Sequence, residues 1–267
     1  MSRQRLDAEL VRRRLADTRS SARRLIIEGR VKVGGVIAPK PATMVNAETS
    51  VELIGPEARF VGRGGDKLAH ALDVFAIDVA GARAVDLGSS TGGFTDCLLQ
   101  AGAVSVTAVD VGYNQLDYRL RADSRVIVRE RTNARTMDPA ELGGPFTVVV
   151  GDLSFISLEL VMAPIAALAA SDADIVLLVK PQFEVGKGQV GRGGLVTDPV
   201  LWAQAINRVV EAARRHGLGA RGIVTSPLRG ASAGNREFLL WLRHGPADLP
   251  TEAVELALAQ LPEGSAS

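Results

Sequence analysis

Four charged side chains stand at the ends of predicted elements and could together move a proton. Asp152 follows the apolar run FTVVVG, and Lys180 follows DIVLLV. Lys67 opens the predicted helix DKLAHALDVF, and Glu237 precedes the predicted strand FLLWLR. A desolvated lysine with a lowered pKa can accept a proton, whereas a charged lysine can orient an oxygen atom. The alternative for each residue is a surface ion pair, and Asp152 could instead cap a helix.

The elements that carry these side chains alternate between strands and helices from about residue 63 onward. The best marked helix begins at Asp198-Pro199, because aspartate is a good N-cap and proline suits a first turn, and Gly217 can end it. Residues 175–179 are all apolar, which predicts a strand buried on both faces. The pattern predicts an α/β fold with a doubly wound, mostly parallel, Rossmann-like sheet of seven strands. The predicted strands are 83–88, 105–112, 125–130, 146–154, 174–180, 220–226 and 238–243.

A glycine-rich turn, VDLGSSTGGFTDCLL at residues 85–99, lies between a predicted strand and a predicted helix. Ligands of doubly wound sheets bind beyond the carboxyl ends of the strands. Ser90 stands where the dinucleotide pattern GxGxxG needs its second glycine, so the turn is not that motif. The spacing DxGxxxGG instead resembles the S-adenosylmethionine loop of class I methyltransferases. A tight turn without a ligand is the alternative.

That resemblance implies a set of cofactor-binding residues around the turn. Asp110, at the end of the next strand, would accept hydrogen bonds from ribose hydroxyls, and Asn133 would lie near the adenine. The full candidate set is Asp86, Gly88, Ser89, Ser90, Thr91, Gly92, Gly93, Phe94, Asp110, Asn133 and Asp152.

The first 50 residues contain eleven basic and five acidic side chains, a local excess of one sign. Two short helices and a small sheet are predicted here, with Thr18 as the N-cap of the second helix. Gathered on one surface, the arginines would form a nucleic-acid-binding face, although a solvated charged face is the alternative. The candidate RNA-binding residues here are Arg3, Arg5, Arg12, Arg19, Arg23, Arg30 and Lys32.

The glycine-rich segment EVGKGQVGRGGLVTD, residues 184–198, is either a loop over the active site or a flexible connection. On the first interpretation, Lys187 and Arg192 would contact RNA phosphates. Trp202 and Trp241 fall on apolar faces and are predicted to be core residues rather than base-stacking platforms.

The motifs RGGDKL, GSSTGGFTD, DVGYNQL, ERTNAR, DLSFISL and VKPQFEVGKGQVG occur in an order that resembles the TlyA family, which methylates ribosomal RNA. Lys67, Asp152, Lys180 and Glu237 resemble the Lys-Asp-Lys-Glu tetrad of ribose 2′-O-methyltransferases of the FtsJ/RrmJ type. The resemblance implies that Lys180 activates the ribose hydroxyl and that Lys67 positions the ribose or a phosphate. The two carboxylates would hold the lysines in place.

The same resemblance implies a division into domains. Residues 1–58 would form a small α+β RNA-binding domain of the ribosomal-protein type, and residues 59–65 a linker. Residues 66–245 would form a class I methyltransferase domain that uses S-adenosylmethionine, and residues 246–267 a tail. Family members have an aromatic residue in the linker, and here the sequence supplies Phe60.

The expected function is methyl transfer from S-adenosylmethionine to a ribose 2′-hydroxyl of ribosomal RNA. Cytidine in both ribosomal subunits is the expected substrate, because Arg3 and Arg5 before the first helix resemble the longer subtype of the family. Two alternatives stay open: a non-catalytic RNA-binding assembly factor, and a membrane-active hemolysin, which is another name for the family. Cys97 as a single cysteine and three scattered histidines predict neither a disulfide nor a metal site. The start lacks signal-peptide features and no apolar stretch could span a bilayer, so we expect a cytoplasmic protein without stable membrane association.

Overall fold

The computed structural model describes residues 3–16, 18–27, 29–55, 58–230, 234–246, 249–250 and 252–259 of the 267-residue chain. The chain divides into two compact units, Met1–Ala58 and Arg59–Ser267. Each unit has its own hydrophobic core. Within the described ranges, no helix is both long and apolar enough to cross a membrane.

The first unit packs two short helices with two small antiparallel sheets. Its elements in chain order are β1 (Gln4–Arg5), α1 (Leu6–Arg12), α2 (Arg19–Ile27), β2 (Val31–Val33), β3 (Val36–Ile37), β4 (Met44–Val45) and β5 (Val51–Leu53). Strand β1 pairs with β4, and β2 pairs with both β3 and β5. Leu6, Leu10 and Ile26 fill its core. The Thr18 Oγ1 accepts a hydrogen bond from the Ser21 amide at 3.1 Å, so the predicted N-cap is confirmed.

The second unit is a seven-stranded sheet with helices on both faces. Its strands are β6 (Arg83–Leu87), β7 (Ser105–Val109), β8 (Val126–Arg129), β9 (Phe146–Gly151), β10 (Ala169–Val179), β11 (Leu218–Thr225) and β12 (Phe238–His244). Its helices are α3 (Gly64–Val74), α4 (Gly93–Gln100), α5 (Tyr118–Ala122), α6 (Met162–Leu168), α7 (Pro181–Glu184), α8 (Pro199–Arg215) and α9 (Glu252–Ala259). The α/β class and all seven predicted strands are confirmed.

The sheet order is β11-β12-β10-β9-β6-β7-β8, and of these strands β12 runs against its neighbours. Strands β6 to β10 are parallel, so their carboxyl ends share one edge of the sheet. Because β12 is reversed, its first residue, Phe238, pairs with Val179 at the end of β10. Glu237 therefore reaches the same edge as Lys180, although it precedes its strand.

Strand β10 explains why a run of apolar residues ends in a lysine. Val176 and Leu178 pack into the core on one face of the sheet, and Ile175, Leu177 and Val179 pack into the core on the other. The strand begins at Ala169, earlier than predicted, and its pairing with β9 is irregular between Ala169 and Asp174. Burial on both faces fixes the strand, so that it presents Lys180 rigidly at the edge.

The structure differs from the prediction of a linker at residues 59–65. Phe60 and Val61 are buried in the core of the second unit, and the Val61 amide donates a hydrogen bond to Asp96 on α4 at 2.8 Å. Helix α3 already begins at Gly64. Glycines on both sides permit close packing: a Cβ on Gly62 would lie 2.8 Å from the Thr91 Oγ1, and a Cβ on Gly93 of α4 would lie 2.9 Å from the Gly65 nitrogen. The segment is part of the second unit.

Candidate active site

Two short ion pairs bring the four predicted catalytic residues together. The Lys180 Nζ lies 2.5 Å from the Asp152 Oδ1 and donates a hydrogen bond to the Ser154 Oγ at 2.7 Å. The Lys67 Nζ lies 2.5 Å from the Glu237 Oε2. Both lysines and Glu237 are buried, so solvent screens these pairs far less than it screens surface ion pairs. Each buried lysine has its own carboxylate.

A cavity of about 180 Å³ is lined by one member of each ion pair, Lys67 and Asp152, and by most of the predicted cofactor loop. Its lining residues are Arg63, Gly64, Lys67, Gly88, Ser89, Ser90, Thr91, Gly93, Phe94, Asp152 and Arg229. Lys67 and Asp152 thus face the same space as the glycine-rich turn. The arrangement can hold a small ligand on the turn and present it to both ion pairs.

The turn and the Asp152 backbone form one rigid corner. Gly88 has φ +84°, a left-handed conformation that glycine adopts without steric strain. A Cβ on Gly88 would lie 2.7 Å from the backbone oxygen of Asp152. The Asp152 amide also donates a hydrogen bond to the Leu87 carbonyl at 2.9 Å. Any shift of the turn would therefore move Asp152.

Asp86 lies behind the turn, completely buried in strand β6. Its Oδ2 accepts a hydrogen bond from the Thr95 hydroxyl at 2.7 Å, whereas its Oδ1 has no hydrogen-bond partner among the residues described. Burial raises the pKa of Asp86 to about 7, and the nearby carboxylates of Asp152 and Asp110 act in the same direction. Asp86 does not itself line the cavity, which Gly88 and Ser89 of the same turn do. A buried carboxylate oxygen without a partner is suited to a cationic donor.

The other predicted cofactor residues take different positions. Asp110 anchors the turn by accepting hydrogen bonds from the Ser90 and Gly112 amides, both at 2.7 Å. Gly92 packs against hydrophobic side chains rather than lining the cavity. Asn133 is exposed and outside the cavity lining, where its side chain accepts from a local backbone amide. Within the described chain, no cluster of three or more His, Cys, Asp or Glu side chains is arranged to hold a metal ion.

Phe155 is a candidate site residue that the sequence analysis missed. It is 91% exposed and has φ +63°, a conformation that is strained for a bulky residue. Its ring centroid lies 5.3 Å from that of Phe183. The Lys180 Nζ lies 6.0 Å from the Phe183 centroid. An exposed aromatic face is therefore fixed beside Lys180.

Asn235 is a second missed residue, and it fastens the glycine-rich segment to the strand that follows Glu237. Its Oδ1 accepts from the Val196 amide and its Nδ2 donates to the Gly194 carbonyl, both at 2.8 Å. The segment is thus tethered rather than a free connection. Arg192 is exposed there, and the side chain of Lys187 lies outside the described part of the structure.

In the first unit, several of the predicted RNA-binding arginines are held by two buried carboxylates. Asp7 bonds Arg5, Arg19 and Arg23. Hydrogen bonds from these guanidinium groups, Arg5 foremost, hold the pKa of Asp7 well below its usual range although burial opposes them. The excess of basic residues in the sequence did not predict that these arginines pair with a buried aspartate.

Glu9 is the second of these carboxylates, and it bonds Arg12 and Arg13. Of the other predicted RNA-binding residues, Arg3 is exposed, whereas Arg30 and Lys32 are half-buried. The Arg30 Nε donates to the Ile54 carbonyl at 3.4 Å.

The chain is similar in sequence to known methyltransferases, in agreement with the geometry of this site. Residues 60–244 match the family described as FtsJ-like methyltransferase, and residues 4–51 match the S4 domain. The chain is 53% identical, over 90% of its length and 90% of the relative's, to the 16S/23S rRNA (cytidine-2′-O)-methyltransferase TlyA of Mycobacterium tuberculosis. It is 38% identical, over 77% of its length and 86% of the relative's, to Hemolysin A of Brachyspira hyodysenteriae.

A solved structure from Streptococcus thermophilus, which also carries a hemolysin name, superposes with a TM-score of 0.77. The two chains are 38% identical, and the match covers 97% of this chain and 96% of the other. The sequence-based resemblance is confirmed. The chain belongs to the FtsJ-like methyltransferase family and, within it, to the TlyA proteins.

Proposed function

We propose that the protein transfers the methyl group of S-adenosylmethionine to the 2′-hydroxyl of cytidine in ribosomal RNA, in both ribosomal subunits. The observation that carries the proposal is the pair of buried lysine-carboxylate contacts at one cavity, beside a glycine-rich turn. The 53% identity to a relative named for this reaction supports the substrate. Ribosomal RNA as substrate implies work in the cytoplasm, on ribosomal subunits.

The residues around the turn fit S-adenosylmethionine. Gly88 lines the cavity and lets the turn pack closely on the Asp152 backbone, and the free Oδ1 of Asp86 suits the ammonium group of the amino acid moiety. Asp110 has lone pairs left for ribose hydroxyls, because a carboxylate accepts about four hydrogen bonds. When bound, this molecule supplies an electrophilic methyl group on a sulfonium.

The protein's own part is to position the ribose hydroxyl and accept or relay its proton. The tetrahedral Nζ of Lys180 directs two of its positions at Asp152 and Ser154, which leaves a third for the incoming oxygen. Lys67, held by Glu237, lines the cavity and can position the ribose or its phosphate. Most of the acceleration would come from this alignment and from proton transfer.

Replacing Gly88 with alanine should weaken S-adenosylmethionine binding at least about tenfold. The new Cβ would meet the Asp152 backbone oxygen, and the left-handed conformation adds about 1–2 kcal/mol of strain. Gly81→Ala is a matched control, because Gly81 also has a left-handed φ, +74°, but no atom lies within 4 Å of its Cβ. Calorimetric titration measures the affinity of each variant, and thermal unfolding measures its stability. Gly81→Ala introduces only the backbone strain, so any larger effect in Gly88→Ala comes from the contact with Asp152. Equal affinities in the two variants would contradict the fit.

Phe155 is proposed to stack on a base of the RNA at the active site. Stacking on an aromatic ring contributes roughly 1–3 kcal/mol per base, so Phe155→Ala should raise KM for RNA by about 5- to 150-fold. The affinity for S-adenosylmethionine should not change, since Phe155 lies outside the cavity lining. Phe155→Tyr keeps a ring and should restore most of the loss. An unchanged KM for Phe155→Ala would remove the residue from the RNA interface.

Labelled methyl transfer tests the proposed function as a whole. S-adenosylmethionine is incubated with the protein and free ribosomal RNA, each purified subunit or whole ribosomes, and the modified nucleotide is then mapped. We expect 2′-O-methylcytidine in RNA from both subunits. Methylation of a base, or tight RNA binding without transfer, would contradict the proposal, the second outcome indicating an assembly factor. Leakage of liposomes caused by the pure protein would instead support the hemolysin alternative.

A further inference from the structure

Asp7 and Glu9 form the centre of a side-chain cluster that the proposed catalytic unit does not explain. Both carboxylates are completely buried in the first unit, and five arginines surround them. The Arg5 side chain bonds Asp7 with two hydrogen bonds, both at 3.0 Å. Arg12 bonds Glu9 in the same two-pronged way, at 2.7 and 2.6 Å. We name these two carboxylates with Arg5, Arg12, Arg13, Arg19 and Arg23 the arginine cluster.

The arginines in this cluster keep a large part of their surface available. The side chains of Arg5, Arg12, Arg19 and Arg23 are 41%, 55%, 54% and 52% exposed although each contacts a buried carboxylate. A guanidinium has five N–H donors, and the hydrogen bond between Arg23 and Asp7 uses the Nε donor alone. The remaining donors can reach an external anion. Five arginines around two carboxylates also leave the cluster positively charged.

Stability alone does not account for this arrangement. A buried ion pair is weak evidence for stability, because the loss of solvation offsets much of the attraction. The carboxylates instead restrict the conformations of the arginine side chains. A free arginine loses considerable side-chain entropy when it binds an anion, and an arginine that is already held in place loses less. Arginine binds phosphate through paired N–H donors, which requires the guanidinium plane to be correctly oriented.

We propose that Asp7 and Glu9 are positioning residues that hold the arginine cluster in the arrangement that binds the phosphates of folded RNA. The proposal rests on the proposed RNA substrate. It makes an unusual prediction, because removal of a negative charge should weaken binding to a polyanion. Net charge alone predicts the opposite: each carboxylate removed should leave binding unchanged or make it tighter.

The test is to measure the affinity of the full-length protein for purified ribosomal subunits over a range of salt concentrations. Asp7→Asn should weaken binding at least about tenfold and reduce the dependence of log affinity on log salt, because fewer phosphates are contacted at once. Glu9→Gln should do the same through Arg12 and Arg13. Glu48→Gln removes one charge from an exposed position of the same unit and should bind as tightly as the unmodified protein, or more tightly.

A double-mutant cycle distinguishes positioning from a general effect on the fold. If Asp7 acts through Arg23, Asp7→Asn should have a smaller effect in an Arg23→Ala background than alone. Asparagine keeps the shape of the side chain, and the half-exposed arginines can be rehydrated, so we expect both carboxylate variants to fold. Thermal unfolding checks this.

Three results would overturn the proposal: binding by folded Asp7→Asn and Glu9→Gln that is unchanged or tighter, additive effects in the cycle, or unfolding of both variants at 25 °C. Unfolding of both variants would show that the two carboxylates are needed for folding rather than for positioning the arginines. The proposed RNA function fails separately, if the unmodified protein binds ribosomal subunits no better than it binds a polyanion such as heparin.

Discussion

Replacing Lys180 with alanine should lower kcat for methyl transfer by about 10²- to 10⁴-fold, the range typical of a lost proton-transfer group. Affinities for S-adenosylmethionine and RNA should stay within about threefold. The reason is geometric: Lys180 contacts Asp152 and Ser154 at the edge of the sheet and does not line the cavity beside the glycine-rich turn. Single-turnover kinetics at saturating concentrations of both substrates measures the effect on chemistry directly.

Two further variants make the Lys180 result interpretable. Lys180→Met keeps most of the buried stem and removes the amine, so it should lose activity as Lys180→Ala does but with a smaller loss of stability. Arg214→Ala removes an exposed cation from α8 that pairs with Glu211, and it should leave kcat unchanged. Turnover above about a tenth of the original rate in Lys180→Met would exclude Lys180 as the group that activates the hydroxyl.

The positions of the strands and of most site residues were predictable because burial leaves a local signal. An apolar run between turn residues predicts a buried strand, and residues after such runs share the carboxyl edge of a parallel sheet. Asp152 and Lys180 could be placed in this way. Glu237 could not, because it reaches the edge through the reversal of β12, and pairing direction has no periodicity in the sequence. The family resemblance placed Glu237 there.

Other features depend on tertiary contacts that composition does not reveal. In a sequence, Gly62, Gly64 and Gly65 are as typical of a flexible linker as of close packing, and here they permit contact with α4. Counting charges predicted a basic first unit, but it could not show that Asp7 and Glu9 hold the arginines. Phe155 was overlooked because its exposure and left-handed backbone are properties of the folded chain.

Replacing Asp86 with asparagine should stabilise the protein above neutral pH and yet weaken its binding of S-adenosylmethionine. Burial raises the pKa of Asp86 from 3.8 to about 7, so the folded state holds this proton more tightly than the unfolded state. Stability from this group is therefore complete below about pH 4 and decreases as the pH rises to about 7. Asparagine cannot ionise, so the variant should be as stable as the original at pH 4 and more stable at pH 8. At pH 8 the free energy of unfolding of the variant should exceed that of the original protein by at most about 4 kcal/mol.

The effect on binding should have the opposite sign. A charged hydrogen bond contributes about 1.5–3 kcal/mol, so loss of the bond between Asp86 and the ligand ammonium should weaken affinity by roughly 10- to 150-fold at pH 8. The original protein should bind more tightly as the pH rises through 7, because Asp86 then ionises, and the variant should lose this dependence. Asp172→Asn, an exposed position on β10, is the charge-matched control and should change neither quantity. Calorimetric titration and chemical unfolding at pH 4, 6 and 8 measure both. If Asp86→Asn bound S-adenosylmethionine as tightly as the original at pH 8, the free Oδ1 of Asp86 would not face the ligand, and the fit of this molecule to the turn would rest on Asp110 and the glycines.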